Sequence, residues 1–154
     1  MRIVVAKVSE FPPGDRKVVR VGTRTIGVFR VGEKFYALNN YCPHQGGPLC
    51  LGRTQPTAVS EGPGDFGINE DELFLACPWH GWEYDIKTGQ SYFGPGQPPV
   101  RSYGVAVTPG VGLAEDTAIR FPDRIPGPYV AETFDVRVEE DYVVVDTTAR
   151  QTAR

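Results

Sequence analysis

Two short segments decide the fold of this chain: residues 42–49 read CPHQGGPL, and residues 77–90 read CPWHGWEYDIKTGQ. Each segment places a cysteine, then a proline, then a histidine within three residues of the cysteine. The four side chains are Cys42 and His44 in the first segment and Cys77 and His80 in the second. The chain has 2 histidines and 3 cysteines in all, so nearly all of its soft metal ligands lie here. Their pairing predicts one metal centre built from both segments.

The number and spacing of these ligands limit the kind of metal centre. Three cysteines exclude a four-cysteine iron–sulfur cluster. Tetrahedral zinc accepts two cysteines and two histidines, but its first pair usually has a longer spacer than the single residue between Cys42 and His44. In extended backbone, side chains two residues apart lie about 6.6 Å from each other, which suits two neighbouring irons better than one ion. A [2Fe–2S] cluster therefore fits best, and a mononuclear zinc module without a redox function stays as the alternative.

These segments closely resemble the cluster-binding motif of Rieske [2Fe–2S] proteins, Cys-x-His followed by Cys-x-x-His. The resemblance is specific over 41–52 and 72–92 and weaker in the flanking strands. It implies an inner iron held by Cys42 and Cys77 and an outer iron, near the surface, held by His44 and His80. It also implies that 93–99, FGPGQPP, is the proline-rich loop that covers the cluster.

Other positions of the motif bear on the redox potential that the resemblance implies. High-potential Rieske proteins carry an extra cysteine in each motif, where this chain has 45–47 (QGG) and Trp79, so their disulfide cannot form. Trp82 replaces a cluster-facing serine, while Tyr84 matches an aromatic residue whose hydroxyl can donate to a cysteine sulfur. We expect a midpoint potential on the order of −150 to 0 mV, in the lower half of the Rieske range. Cys50, the third thiol, is expected to be a small structural residue.

Strands dominate the rest of the sequence. Aromatic and β-branched residues are enriched in short runs that glycine, proline, asparagine or aspartate separate. The predicted strands are the amino-terminal segment 1–11 and residues 18–21, 25–31, 35–38, 73–76, 82–85, 100–107, 133–138 and 142–146. No window of a dozen residues shows a helical stripe. The pattern predicts an all-β antiparallel fold, and the resemblance implies a Rieske-type β-sandwich with a small cluster-binding subdomain.

We expect a single Rieske domain over 1–150, with its cluster-binding part at about 40–99, and a frayed tail over 151–154. Two stretches fit no strand and are expected to be long loop insertions: 53–71, which is glycine-rich and acidic, and 110–129, which contains three prolines. The first lies in the gap of 32 residues (45–76) between the motifs. That gap is considerably longer than small Rieske ferredoxins usually show.

Composition excludes several classes of partner. The 154 residues carry 16 basic and 19 acidic side chains, a net charge of −3, which argues against nucleic-acid binding and against docking on an acidic membrane. No apolar run is long enough to span a bilayer, and polar residues interrupt the amino-terminal segment before it could form a signal peptide. We therefore expect a cytoplasmic protein whose thiols stay reduced.

The residues and the resemblance together predict a soluble one-electron carrier, similar to the ferredoxin components of ring-hydroxylating oxygenases. Its implied partners are a flavin-dependent reductase and a terminal oxygenase or reductase subunit. The chain itself is not expected to be an enzyme, because both histidines are used by the cluster and no 2-His-1-carboxylate iron site remains. Two further alternatives are a small Rieske subunit of a larger reductase and a Rieske-fold redox sensor. The acidic stretch 61–72 is either a surface that attracts a basic reductase or a solvated loop.

Overall fold

The computed structural model describes residues 1–92, 98–116 and 140–148, and these form two antiparallel sheets. The strands are β1 (Arg2–Lys7), β2 (Arg16–Val21), β3 (Arg24–Val31), β4 (Lys34–Asn39), β5 (Arg53–Val59), β6 (Gly67–Ala76), β7 (Glu83–Asp85), β8 (Ser102–Pro109) and β9 (Asp141–Asp146). The larger sheet has the order β1-β9-β8-β4-β3-β2, and the smaller sheet has the order β5-β6-β7. The predicted all-β antiparallel fold is confirmed.

Two-residue turns set the register of the first three strands of the larger sheet. Val21 pairs with Arg24 across one turn, and Val31 pairs with Lys34 across the other. Each turn begins with a glycine of positive φ (61° at position 22 and 58° at position 32), and the residue after it has none. This is the pattern of a type II′ turn, whose twist matches that of the flanking strands. The glycine turns that the sequence indicates therefore determine which side chains face each side of the sheet.

Strands β3 and β4 are buried on both faces, so they separate two cores. Val28 and Ala37 belong to a core that also receives side chains from β8 and β9. Phe29 and Leu38, on the opposite face, belong to a second core shared with the smaller sheet. That second core includes Cys42. Both loops of the metal motif begin at the edge of this core.

The stretch 53–71, predicted to be a loop, is instead mostly a β-hairpin. Strands β5 and β6 pair from Arg53 opposite Ala76 to Val59 opposite Gly67, and only 60–66 forms the turn. The prediction was wrong because the outer part of the hairpin is exposed on one face and at most half-buried on the other, so its sequence shows no regular alternation of apolar and polar residues. Pro56 also lies within β5, where it is tolerated because β5 is an edge strand.

The second predicted loop, 110–129, begins as a short helix, α1 (Gly110–Asp116). Its 7 residues make two turns, which is too short to produce a recognisable helical stripe. The rest of that loop lies outside the described residues, as do the predicted strand 133–138, residues 93–97 of the proline-rich loop, and the tail 151–154. The single domain over 1–150 stays a prediction. Within the described ranges, no helix is long and apolar enough to cross a membrane.

Candidate functional site

The two motif segments fold into loops with the same backbone hydrogen bonds. We call residues 42–47 the first loop, which follows β4, and residues 77–82 the second loop, which connects β6 to β7. In each loop the cysteine N–H donates to the carbonyl five residues later, and the N–H four residues later donates back to the cysteine carbonyl. The bonds are Cys42 to Gly47 at 2.9 Å, Gly46 to Cys42 at 2.8 Å, Cys77 to Trp82 at 2.8 Å and Gly81 to Cys77 at 2.9 Å. The repeat in the sequence is therefore also a repeat in structure.

Glycine is required in these loops for two different reasons. Gly46 and Gly81, which occupy equivalent positions, have φ values of 81° and 73°, in the region that L side chains rarely adopt. Gly47 instead allows close approach between the loops. A Cβ atom there would lie 3.0 Å from the Cys77 sulfur and 3.0 Å from the ring of Trp79. The first loop thus packs directly against the cysteine of the second loop.

The two cysteines lie on the core side of the site. Cys42 and Cys77 are both buried, at 1% and 4% exposure, and their thiols are close enough to interact. Burial raises the pKa of Cys77, and the backbone N–H groups of Trp79 and His80 oppose that increase by donating to its sulfur. Such N–H groups stabilise a thiolate, which is the form that binds metals.

The hydroxyl of Tyr84 lies 3.5 Å from the sulfur of Cys42, as the motif implied. Burial, and then the adjacent Cys42 thiol, raises the pKa of Tyr84 far above its usual value. The phenol therefore stays protonated and is able to donate a hydrogen bond to the sulfur.

The two imidazoles lie together on the outer side of the site. The ring centroids of His44 and His80 are 4.8 Å apart, with an angle of 80° between the planes. His80 is exposed, whereas His44 is half-buried because the indole of Trp82 stacks on it, with centroids 4.0 Å apart and planes 11° apart. Nδ1 of His44 is buried and has no hydrogen-bond partner in the described part of the protein. A buried nitrogen left unpaired is costly, and a metal ligand bond would satisfy it.

The structure thus brings the four predicted residues together in two pairs, the thiols of Cys42 and Cys77 and the imidazoles of His44 and His80. Among the described residues, no three side chains of His, Cys, Asp or Glu lie close enough together to hold a single metal ion. A [2Fe–2S] centre of mixed ligation instead needs two sulfur ligands for one iron and two nitrogen ligands for the other. The donor set present, sulfur toward the core and nitrogen toward the surface, fits that group.

Sequence reasoning missed how the tryptophans act. The sequence indicates only that Trp82 offers no hydroxyl, whereas the structure stacks its indole on His44, a residue 38 positions away (82 − 44). No local pattern indicates such a contact. Trp79 packs against Gly47 while remaining 57% exposed.

Cys50 stands apart from the site. It is fully buried in a 3₁₀ turn, Leu49–Leu51, and its thiol donates to the carbonyl of Leu38 at 3.6 Å. Burial raises the pKa of Cys50 to about 12, so the thiol stays neutral at physiological pH. This placement agrees with the prediction of a structural residue.

Comparison with known proteins identifies the family. Residues 1–104 match the family model described as the Rieske [2Fe-2S] domain. This chain belongs to the Rieske family. The predicted family and cofactor are therefore confirmed, and the two-iron cluster is favoured over the mononuclear zinc alternative.

The relatives of this Rieske protein include ferredoxins. It is 30% identical over 126 residues to the 3-phenylpropionate/cinnamic acid dioxygenase ferredoxin subunit of Escherichia coli (strain K12). The aligned region covers 81% of this chain and 98% of the relative. The ferredoxin of carbazole 1,9a-dioxygenase from Nocardioides aromaticivorans IC177 is 28% identical, with a TM-score of 0.54 over 70% of this chain and 89% of that chain.

A further structure shares the fold alone. A chain from the complex of reduced oxygenase and oxidized ferredoxin in carbazole 1,9a-dioxygenase is 22% identical, with a TM-score of 0.56 over 99% of this chain and 97% of that chain. The two closer relatives described above are ferredoxin proteins, as predicted for an electron-transfer protein rather than an enzyme.

Proposed function

We propose that this Rieske protein is a one-electron carrier that takes electrons from a flavin-dependent reductase and passes them to a terminal oxygenase or a similar enzyme. The observation that carries the proposal is the presence of a pair of buried thiols and a more exposed pair of imidazoles in two loops of one backbone pattern. The ferredoxin relatives support it, because their named systems are dioxygenases. When bound, the cluster supplies one-electron redox chemistry.

We assign the cluster to Cys42, Cys77, His44 and His80. The two cysteines lie at the end of the second core, where Tyr84 and backbone N–H groups donate toward their sulfurs. The unpaired Nδ1 of His44 is a nitrogen available to a metal. Stacking by Trp82 fixes the plane of that imidazole and keeps water from one of its faces.

The exposed imidazole of His80 indicates where partners approach. The two cysteines are buried, and His44 is covered by Trp82, so His80 is the most accessible of the four residues. Electron-transfer partners of a carrier meet it briefly through small contact areas. A partner that docks over His80 therefore reaches the site without any opening of the fold.

The location proposed for this carrier is the cytoplasm. The three cysteines are free, and two of them belong to the site. A reducing compartment keeps such thiols available for metal binding.

The first experiment measures the cofactor. Anaerobically purified protein is expected to contain two irons and two acid-labile sulfides per chain, and the reduced form is expected to show the low-average-g paramagnetic signal of mixed sulfur and nitrogen ligation. Colourless protein that contains zinc instead would overturn the assignment.

The second experiment measures electron transfer. The wild-type chain, a flavin-dependent reductase and a terminal oxygenase from the same genome neighbourhood are mixed, and substrate oxidation is measured with and without the chain. A carrier makes oxidation depend on the chain at substoichiometric amounts. A redox sensor would be reduced without supporting oxidation, and a fixed reductase subunit would co-purify with its larger partner instead.

A further inference from the structure

The outer part of the β5–β6 hairpin contributes to neither core. We define the distal hairpin as residues 57–72. It begins at a register shift, where Pro56 pairs with Leu73 but Thr57 pairs with Asn69, so residues 70–72 bulge from β6. Strand β7 pairs with β6 only between Phe74 and Ala76, which leaves the distal hairpin as a two-stranded ribbon. Such a ribbon is only marginally stable in water by itself.

The distal hairpin carries large apolar side chains that face solvent. Phe66 is 89% exposed and Ile68 is 67% exposed. Phe66 directly precedes β6, Ile68 is the second residue of that strand, and Ala58 lies opposite Ile68 in the register. The fold gains little burial from these side chains. An exposed apolar patch on a projecting ribbon is typical of a protein–protein contact.

The charge around this patch indicates the chemistry of what covers it. Between Arg53 and Lys87 the sequence contains no lysine or arginine and seven acidic residues. Five of them lie in the distal hairpin, all exposed: Glu61, Asp65, Glu70, Asp71 and Glu72. This field repels another copy of the same hairpin and repels anionic polymers, and it attracts a protein with a basic surface.

The distal hairpin is joined directly to the cluster site. Strand β6 begins within the distal hairpin at Gly67, and only its residues 73–76 separate the hairpin from Cys77, a length of about 13 Å for an extended strand. A protein docked over His80 that also contacts the hairpin would bury two separated surfaces of this chain. The two partners of a carrier compete for the same exposed imidazole, so a second contact away from it is able to favour one of them.

We propose that the distal hairpin is a second docking surface for a redox partner whose own surface is basic with apolar side chains at its centre, and that it selects that partner over the other. This proposal rests on the proposed function, since the partner is one of the two between which the carrier passes electrons. The apolar face supplies affinity, and the acidic residues supply attraction at a distance.

The test compares hairpin variants with matched controls. The first variant is Phe66→Ser with Ile68→Ser, and its control is Val107→Ser, which changes a side chain that is 46% exposed on β8. The second is Glu70→Lys, and its control is Glu10→Lys, an exposed position outside the hairpin with the same change of charge. The third replaces 57–72 by Asn-Gly, which joins the register partners Pro56 and Leu73 by a two-residue turn.

The measurement is the dissociation constant of each holo variant for the reductase and for the oxygenase, at low salt and at about 150 mM salt. For one of the two partners, we expect about tenfold weaker binding of the apolar and shortened variants. Glu70→Lys should lose affinity mainly at low salt, while both controls bind as wild type does. All variants should keep the wild-type visible spectrum, because the changed residues belong to neither core.

The outcomes separate this proposal from the proposed function. If wild-type protein supports oxidation and the shortened variant binds both partners as tightly as wild type, the docking proposal is wrong and the carrier function stands. If sedimentation shows that wild type self-associates and Phe66→Ser with Ile68→Ser abolishes this, the occupant is a second copy and the proposal is also wrong. If wild type exchanges electrons with neither partner, both proposals are wrong.

Discussion

The first and second loops share a backbone, yet they present their histidines differently. Both loops close the same pair of hydrogen bonds around their cysteine, and both turn through a glycine of positive φ. The histidine follows the cysteine by two residues in the first loop and by three in the second. His44 is half-buried under an indole, whereas His80 is exposed. Equal loops thus place the thiols alike, and the indole of Trp82 leaves His80 as the more exposed imidazole.

The two loops also differ in the side chains through which they contact each other. Both tryptophans of the chain lie in the second loop, and both pack on the first: Trp79 against Gly47, and Trp82 on His44. The first loop has glycine where the second has a large ring. The second loop therefore contacts the first through both rings, but only Trp82 contacts a histidine of the site.

The largest expected effect is loss of the cluster. Cys42→Ser and Cys77→Ser should each abolish iron binding, because the loops are equivalent at their cysteines and each iron needs its full ligand set. Cys50→Ser is the matched control, since that thiol donates to the Leu38 carbonyl outside the site and should leave the cluster spectrum unchanged. Iron content and visible absorption measure this. Retention of a wild-type spectrum by either site variant would contradict the assignment.

A smaller effect is expected from the indole that distinguishes the two histidines. Trp82→Leu should lower the free energy of unfolding by about 2–4 kcal/mol, because it removes a buried ring that is only 8% exposed. It should also broaden the paramagnetic signal, since the His44 ring loses its stacking partner. Trp82→Phe should restore a narrow signal because a ring is again present to stack. Trp79→Leu, at a half-exposed ring, is the control, and an equal broadening there would show that Trp82 has no special role.

Substitution of the two positive-φ glycines, Gly46 and Gly81, tests whether the two loops are equivalent in stability. Gly81→Ala should lower the free energy of unfolding by about 1–2 kcal/mol through backbone strain alone, because no atom lies within 4 Å of the added Cβ. Gly46→Ala should be more destabilising, because its Cβ would also lie 3.0 Å from the ring of Tyr41. Urea denaturation of the holo proteins measures the difference. Gly62→Ala, where neither strain nor contact exists, should match wild type. Equal stability of all three variants would refute the argument from strain.

The smallest expected effect concerns the hydrogen bond to one of the two cysteines. Tyr84→Phe removes the hydroxyl that lies 3.5 Å from the Cys42 sulfur. Such a bond contributes about 1 kcal/mol and stabilises the more negative, reduced state, so the midpoint potential should fall by about 40 mV. Tyr36→Phe, which removes a hydroxyl from the same core, is the control. If voltammetry finds equal midpoint potentials for wild type and Tyr84→Phe, this hydrogen bond does not contribute to the potential.

Much of the larger sheet could be predicted from the sequence, because aromatic and β-branched residues are enriched in its strands and its turns contain glycine. The hairpin over 53–76 could not, since both faces of its outer part meet water and no alternation is selected there. The helix α1 could not be predicted for a different reason, because two turns are too few to produce a periodic pattern.

The sequence by itself determined the four candidate ligands, the glycines that their loops require and the family to which the chain belongs. These depend on side-chain chemistry and on spacing within a few residues, which the order of residues states directly. Only the tertiary structure decided that His44 lies under Trp82 while His80 faces solvent, and that Gly47 packs on Cys77. It also decided that a hairpin with acidic residues and exposed apolar side chains projects from the strand that leads to the site. Those features depend on contacts between residues far apart in the chain, and burial of the whole core, rather than any local preference, brings such residues together.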